Sequence, residues 1–257
     1  MMISGQSAVT PAASTVVANK DAKAVAARSE TASAPAPSDV SQAAGGKKDF
    51  ATVAKDARSA IDAAYKKVGV ENGASLSLQD RLSVFSTMDR RSLYAVASNA
   101  GGHFSKEEQF GAADAMELQF QQARGIDPFN PATIPNTASG MAAASKAGIK
   151  FLDSVSDEEK QSVTWAAHRA TAQNFYEAVS QGAGETPENL DSDNPLVKVL
   201  KAAMTAGRGD PARDRTEGRM DTLEGLKKQP WAKGFEAQID QAFRESARQG
   251  SLLDRKV

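Results

Sequence analysis

No proline occurs between Pro37 and Pro128. Proline fixes φ and removes a backbone donor, so a long stretch without it is free to be helical from end to end. The apolar residues in this stretch recur at steps of three and four. Phe50, Val53, Ala57, Ile61, Ala64 and Val68 make one face of a predicted helix over 49–68, which Gly69 ends before a turn over 70–75. Ser77 caps a second helix, 78–88, that presents Leu78, Leu82 and Phe85. Asp89 caps a third, 90–98, with Leu93, Val96 and Ala97 inward, and Asn99-Ala100-Gly101-Gly102 stops it. Ser105 and Glu108 have the spacing of a capping box, in which serine and glutamate each bond the other's backbone amide. The helix they open runs to about Arg124, with Phe110, Ala113, Met116 and Phe120 on one side.

The flanks of this stretch differ from it. Residues 1–48 hold no aromatic residue, carry Pro11, Pro35 and Pro37, and consist largely of Ala, Ser, Thr, Val and Gln. Such a composition buries too little apolar area to offset chain entropy, so a disordered tail is expected there. On the far side, 126–137 (IDPFNPATIPNT) holds three prolines and cannot be helical throughout. Its Ile126, Phe129 and Ile134 are expected to pack down, making an ordered connection between the helical regions 49–125 and 138–257.

The second region repeats the helical grammar. Ala138, Met141, Ala142, Ser145, Ile149 and Leu152 are in phase over 138–153, with Gly140 and Gly148 open to a close neighbour. Ser156 and Glu159 match a second capping box opening one long helix, 157–181, apolar on two faces and therefore central. Pro195 at a first helical position starts a helix to about Ala206, with Leu196, Val199, Leu200 and Ala203 inward. A charged helix over 216–228 and a last helix opened by Pro230 and Trp231, with Phe235, Ile239 and Phe243 on its face, complete the chain. No segment alternates long enough to be a strand. The expectation is an all-α protein, a helical bundle-like domain of about eight or nine helices behind a disordered N-terminal tail.

Composition narrows the function classes. There is no cysteine, which excludes disulfides, thiolate zinc sites and cysteine nucleophiles. Thirty-one basic residues face 32 acidic ones, a balance that argues against nucleic acid as the main partner. No apolar run approaches the length of a membrane span. The start of the chain lacks the basic-then-apolar pattern of a secretory signal, so a cytoplasmic protein, or one exported by a signal-peptide-independent route, is expected.

With Gly102 as the central glycine of a twelve-residue loop, Asn99 falls at position 3, Phe104 at position 8, Ser105 at position 9 and Glu108 at position 12. Over about 50–120 this resembles a degenerate EF-hand-like helix–loop–helix, with a shorter echo at 72–80. The resemblance implies Asn99, Ser105 and Glu108 as ligands of a Ca²⁺ ion. Ala97 and Gly101 stand at positions 1 and 5, where acidic or amide oxygens are the rule, so the resemblance is to a vestigial site. Simple helix capping explains the same residues, and the expectation for cofactors is none.

Other candidates are matched by plainer roles. His103 lacks a nearby nucleophile or carboxylate at helical spacing and is expected exposed in its loop. His168 is expected packed on its helix, since two histidines and no cysteine cannot complete a zinc site. Asp89-Arg90-Arg91 is a cap followed by a solvated face. In 208–219 acids interleave with arginines, although from Leu196 onward 13 basic residues face 9 acidic ones. No catalytic residue emerges. The expected function is a non-catalytic protein–protein interaction protein, a bacterial adaptor, regulator or export-associated protein. A cation-responsive EF-hand-like module and an exported effector enzyme are the alternatives.

Overall fold

Asp49 accepts the backbone N–H of Thr52 and starts α1, Phe50–Val68, which Gly69 ends in the left-handed conformation. The computed structural model describes residues 47–69 and 77–248. The expected tail up to Gly46, the turn after Gly69 and most of the shorter echo loop lie outside the described residues. Lys47 and Lys48, assigned above to the tail, do belong to the described fold: Lys48 pairs with Asp56 at 2.7 Å, and its carbonyl accepts from Arg91.

Ser77 and Asp89 cap α2, Leu78–Phe85, and α3, Arg90–Ala97, as their spacing predicts. Ser105 and Glu108 form both bonds of the capping box at the head of α4, Lys106–Ala123. Ile61, Tyr65, Phe85, Leu93, Val96 and Phe104 join in one buried cluster built by these four helices. The buried face of α4 is not the predicted one. Phe110 is 58% exposed and Ala113 is exposed, while Gly111, Ala112 and Ala115 are buried. Gly111 lies against the Phe85 ring so closely that a Cβ would stand 2.5 Å from it. The helix packs through its smallest residues, and Phe110 faces solvent.

The connection 126–137 is also organised differently. Phe129 is 69% and Ile134 55% exposed, so apolar packing is not what orders them. Polar closure does it instead. The Thr133 hydroxyl accepts the Asp127 N–H at 2.8 Å and donates to the Asn130 carbonyl, Asn130 Oδ1 accepts from Ala132, and Asp127 Oδ1 accepts from Phe129.

Thr137 caps α5, Ala138–Ser154, where Gly148 admits Phe120 of α4 and Arg124, the residue that ends α4. The long helix expected next is broken in two. A single turn, α6 (Asp157–Lys160), precedes α7 (Val163–Gly182), because Ser162 adopts an extended ψ and caps α7 through the Trp165 N–H. The second capping box is half made, since Ser156 accepts from Glu159 while the Glu159 carboxylate turns to Arg90. Helix α7 is central, as predicted, lying between α5 and α8, Pro195–Gly207. Its two apolar faces are not both buried: Phe175, in phase with Trp165, Ala172 and Val179 on one of them, is 42% exposed, while the polar Arg169 and Gln173 are buried.

The charged helix predicted over 216–228 shortens to α9, Leu223–Lys227, because Gly218 takes a positive φ and Thr222 supplies the cap. Pro230–Ala232 forms a single tight turn, and Gly234 at φ 90° separates it from α10, Glu236–Arg248. Trp165, Leu196, Leu200, Leu226, Trp231 and Ile239 centre a second core, which Phe120 of α4 joins from the first region. The protein is all-α, with ten helices and no strand among the described residues. No described helix is long and apolar enough to cross a membrane.

Candidate functional site

The loop after α3 and the first turn of α4 carry the three residues expected to hold a cation. Asn99 takes the left-handed conformation and its side chain accepts the Phe104 N–H at 3.0 Å, closing the loop. Ser105 accepts the Glu108 N–H. Glu108 is only 4% exposed. Its oxygens accept from Arg58 Nη1 at 2.8 and 2.9 Å, from the Tyr65 hydroxyl at 3.1 Å and from the Ser105 amide at 2.8 Å. A buried carboxylate needs such a set of partners, because losing water without them is costly. Arg58 also pairs with Asp62 and lies over the Phe104 ring, so it ties α1 to the loop. Burial, and then the adjacent Glu108 charge, push the Tyr65 hydroxyl well above its ordinary pKa. The structure thus places Asn99, Ser105 and Glu108 at one loop–helix junction, and turns each toward a protein donor. The Arg58 guanidinium bonds both Glu108 oxygens, the atoms that a bidentate position-12 carboxylate would offer to a cation. Among the described residues, no group of three His, Asp or Glu side chains is placed to hold a metal ion.

Arg90 and Arg91 are not a solvated face. Arg90 grips Glu159 with Nε and Nη2, donates to the Met116 carbonyl and lies over the Phe151 ring. Arg91 grips Glu158 and covers the Phe50 ring. These pairs join the first helical region to the second. Sequence reading missed them because the partners lie far apart along the chain; two adjacent arginines and two adjacent glutamates were the only signal.

Partial burial works to raise the Glu158 carboxyl. The bonds from Arg91, from its own amide and from Ser156, with the Arg91 charge, outweigh it and hold its pKa at about 2, against 4.5 ordinarily. A folded-state pKa below the unfolded one gives stability present above the unfolded value and lost as pH falls toward the folded one. Lowering the pH from about 4.5 to about 2 should therefore remove on the order of 2 kcal/mol of stability through this group. Acid titrations of wild type and Glu158→Gln, followed by circular dichroism with urea, check this: the variant's stability should fall less steeply across that window.

The two histidines sit on different elements. His103 is exposed in its loop. His168 is half-buried and stacks on Phe120 at 6.3 Å, and burial pushes its pKa below the ordinary value.

Sequence reading also missed a buried polar network on α7. Arg169, 1% exposed, donates to both Asp153 oxygens, to Gln173 and to the Leu190 carbonyl. Gln173 passes this on to Asp191, which Lys201 meets at 2.7 Å. An open cleft of about 450 Å³ lies over the network, lined by Asp153, Lys160, Asp191 and Asp193 among others. The network's charges are spent on one another. A second cleft, of about 480 Å³, lies between the 208–222 loop and the chain after α9. Comparison with protein-family models, with curated proteins and with solved structures finds no match to this chain.

Proposed function

We propose that the protein is a non-catalytic helical binding protein that docks on another protein through the loop 126–137. The observation that supports this most is the exposure of Phe129 and Ile134, 69% and 55%, on a loop braced from within. Single exposed apolar residues are common on protein surfaces. Here two stand on one short loop that carries Pro128, Pro131 and Pro135 and closes on itself through Asp127, Asn130 and Thr133. A loop already fixed in shape gives up little entropy on binding, so burial of its apolar side chains goes largely into affinity. Aromatic side chains are also the residues most enriched at interface centres.

The test uses the full chain as bait in affinity capture from its native cells, beside Phe129→Asp/Ile134→Asp and an unrelated helical control. Both side chains face solvent, so the variant should keep the wild-type circular dichroism and melting temperature. A protein enriched by wild type and lost by the variant is the expected result. Equal recovery by the variant, or nothing enriched over the control, refutes the reading.

A further inference from the structure

The cleft beside α9 gathers basic side chains from beyond the interleaved charges of 208–219. Along 208–222, Arg215 pairs with Glu217 and Arg219 with Asp221, so those charges neutralise one another on the surface. The cleft is lined instead by Arg213, Lys227, Lys228 and Lys233, with Asp210 and Glu236 as its acids. Glu236 turns an oxygen to the Gly234 N–H at 2.8 Å, and Asp210 turns one to the Ala212 N–H at 2.9 Å, meeting Arg213 only at 3.8 Å. Lys227 is held by Glu224 and Asp240. Lys228 and Lys233 are exposed, and among the described residues their ammonium groups have neither a hydrogen-bond nor an ion-pair partner.

The walls are fixed. Gln229 is 2% exposed; its amide donates to the Glu217 and Gly225 carbonyls and its oxygen accepts the Glu217 N–H. It pins the loop to the end of α9. Beneath, Gly207 leaves room for Trp231 and Arg213, since a Cβ there would stand 3.1 and 3.3 Å from theirs. A cleft of about 480 Å³ falls in the range of small-molecule sites, and its surplus of donors without acceptors matches a phosphate group, which offers acceptors alone. We infer that this cleft binds a small phosphate-bearing anion, with Lys228 and Lys233 as the free cations and Arg213 as the fixed one.

Inorganic pyrophosphate, titrated into the full chain by calorimetry at constant ionic strength, is the probe. Lys228→Glu/Lys233→Glu should weaken its binding by at least about tenfold, the loss expected when charge-assisted bonds are removed. Lys55→Glu/Lys150→Glu makes the same change in net charge at exposed positions elsewhere and should keep the wild-type affinity. Circular dichroism shows whether each variant is folded. A second arm adds phosphatidylcholine vesicles doped with phosphatidic acid. Capture that pyrophosphate displaces makes a lipid headgroup the source of the phosphate, and pyrophosphate binding without capture makes it a soluble compound. Absence of pyrophosphate binding to wild type at millimolar concentration, or equal loss in both double variants, overturns the assignment.

Discussion

Replacing Arg169 by methionine should destabilise the protein by about 3 kcal/mol, the lower end of the effect of breaking a buried ion pair. Methionine approximates the length of the arginine stem, so the loss comes from the guanidinium and less from a cavity. That group joins three segments at once: Asp153 of α5 at 2.7 Å, Gln173 of α7 at 2.9 Å and the Leu190 carbonyl of the following loop at 2.7 Å. Without it, Gln173 loses an acceptor's partner and the Leu190 carbonyl loses its bond from Arg169, and each stranded buried polar group costs about 1–3 kcal/mol. The Asp153 side chain is 48% exposed, and water reaching it keeps the total below that of a fully buried pair. Urea unfolding with an unchanged slope and a lower midpoint is the expected record. Asp153→Asn should cost less, because it leaves the other two bonds in place. A loss under about 1 kcal/mol for Arg169→Met would mean that the network is replaceable and that α7 is placed by apolar packing alone.

How far the sequence foretold this fold depends on the range of each interaction. The caps at Asp49, Ser77, Asp89, Ser105 and Thr137 each join a side chain to an amide three residues on, so they are written locally. The placement of α2, α3 and α4 followed from the caps at Ser77, Asp89 and Ser105, and that of α1 and α5 from the apolar period. Faces did not follow where packing is set by shape: Gly111 against Phe85 turned α4 from the stripe its large residues indicated. Nor did buried polar residues, because a hydrophobic period scores Arg169, Gln173 and Glu159 as solvent-facing. Their burial depends on partners elsewhere in the chain. Ser162 was a legible cap that a preceding, equally good cap at Ser156 concealed. In the candidate loop, Ser105 and Glu108 were readable as a helix start, while Arg58 and Tyr65, two turns apart on α1, became visible as Glu108's partners only in the folded chain.

Those partners set the second large effect. Glu108→Ala should cost about 3 kcal/mol, since it leaves the partly buried Arg58 with Asp62 as its one remaining carboxylate and takes away the acceptor of the Tyr65 hydroxyl and of the Ser105 amide. Glu108→Gln retains one oxygen for the Ser105 amide but sets an amide donor against Arg58, and should cost about 2–3 kcal/mol. Because Arg58 and Glu108 act as one unit, a double-mutant cycle of Arg58→Met and Glu108→Gln in urea should return a coupling of about 1–3 kcal/mol. Calcium distinguishes this structural role from the cation site that the loop resembles. A ligand at one hundred times its dissociation constant adds about 2.7 kcal/mol to the native state, which a melting curve resolves easily. With Arg58 on the Glu108 carboxylate and no acid at position 97, wild type should melt at the same temperature in chelator and in millimolar Ca²⁺. A rise with Ca²⁺ that Glu108→Gln abolishes would show instead that the ion displaces Arg58, and that the loop spends this ion pair to switch.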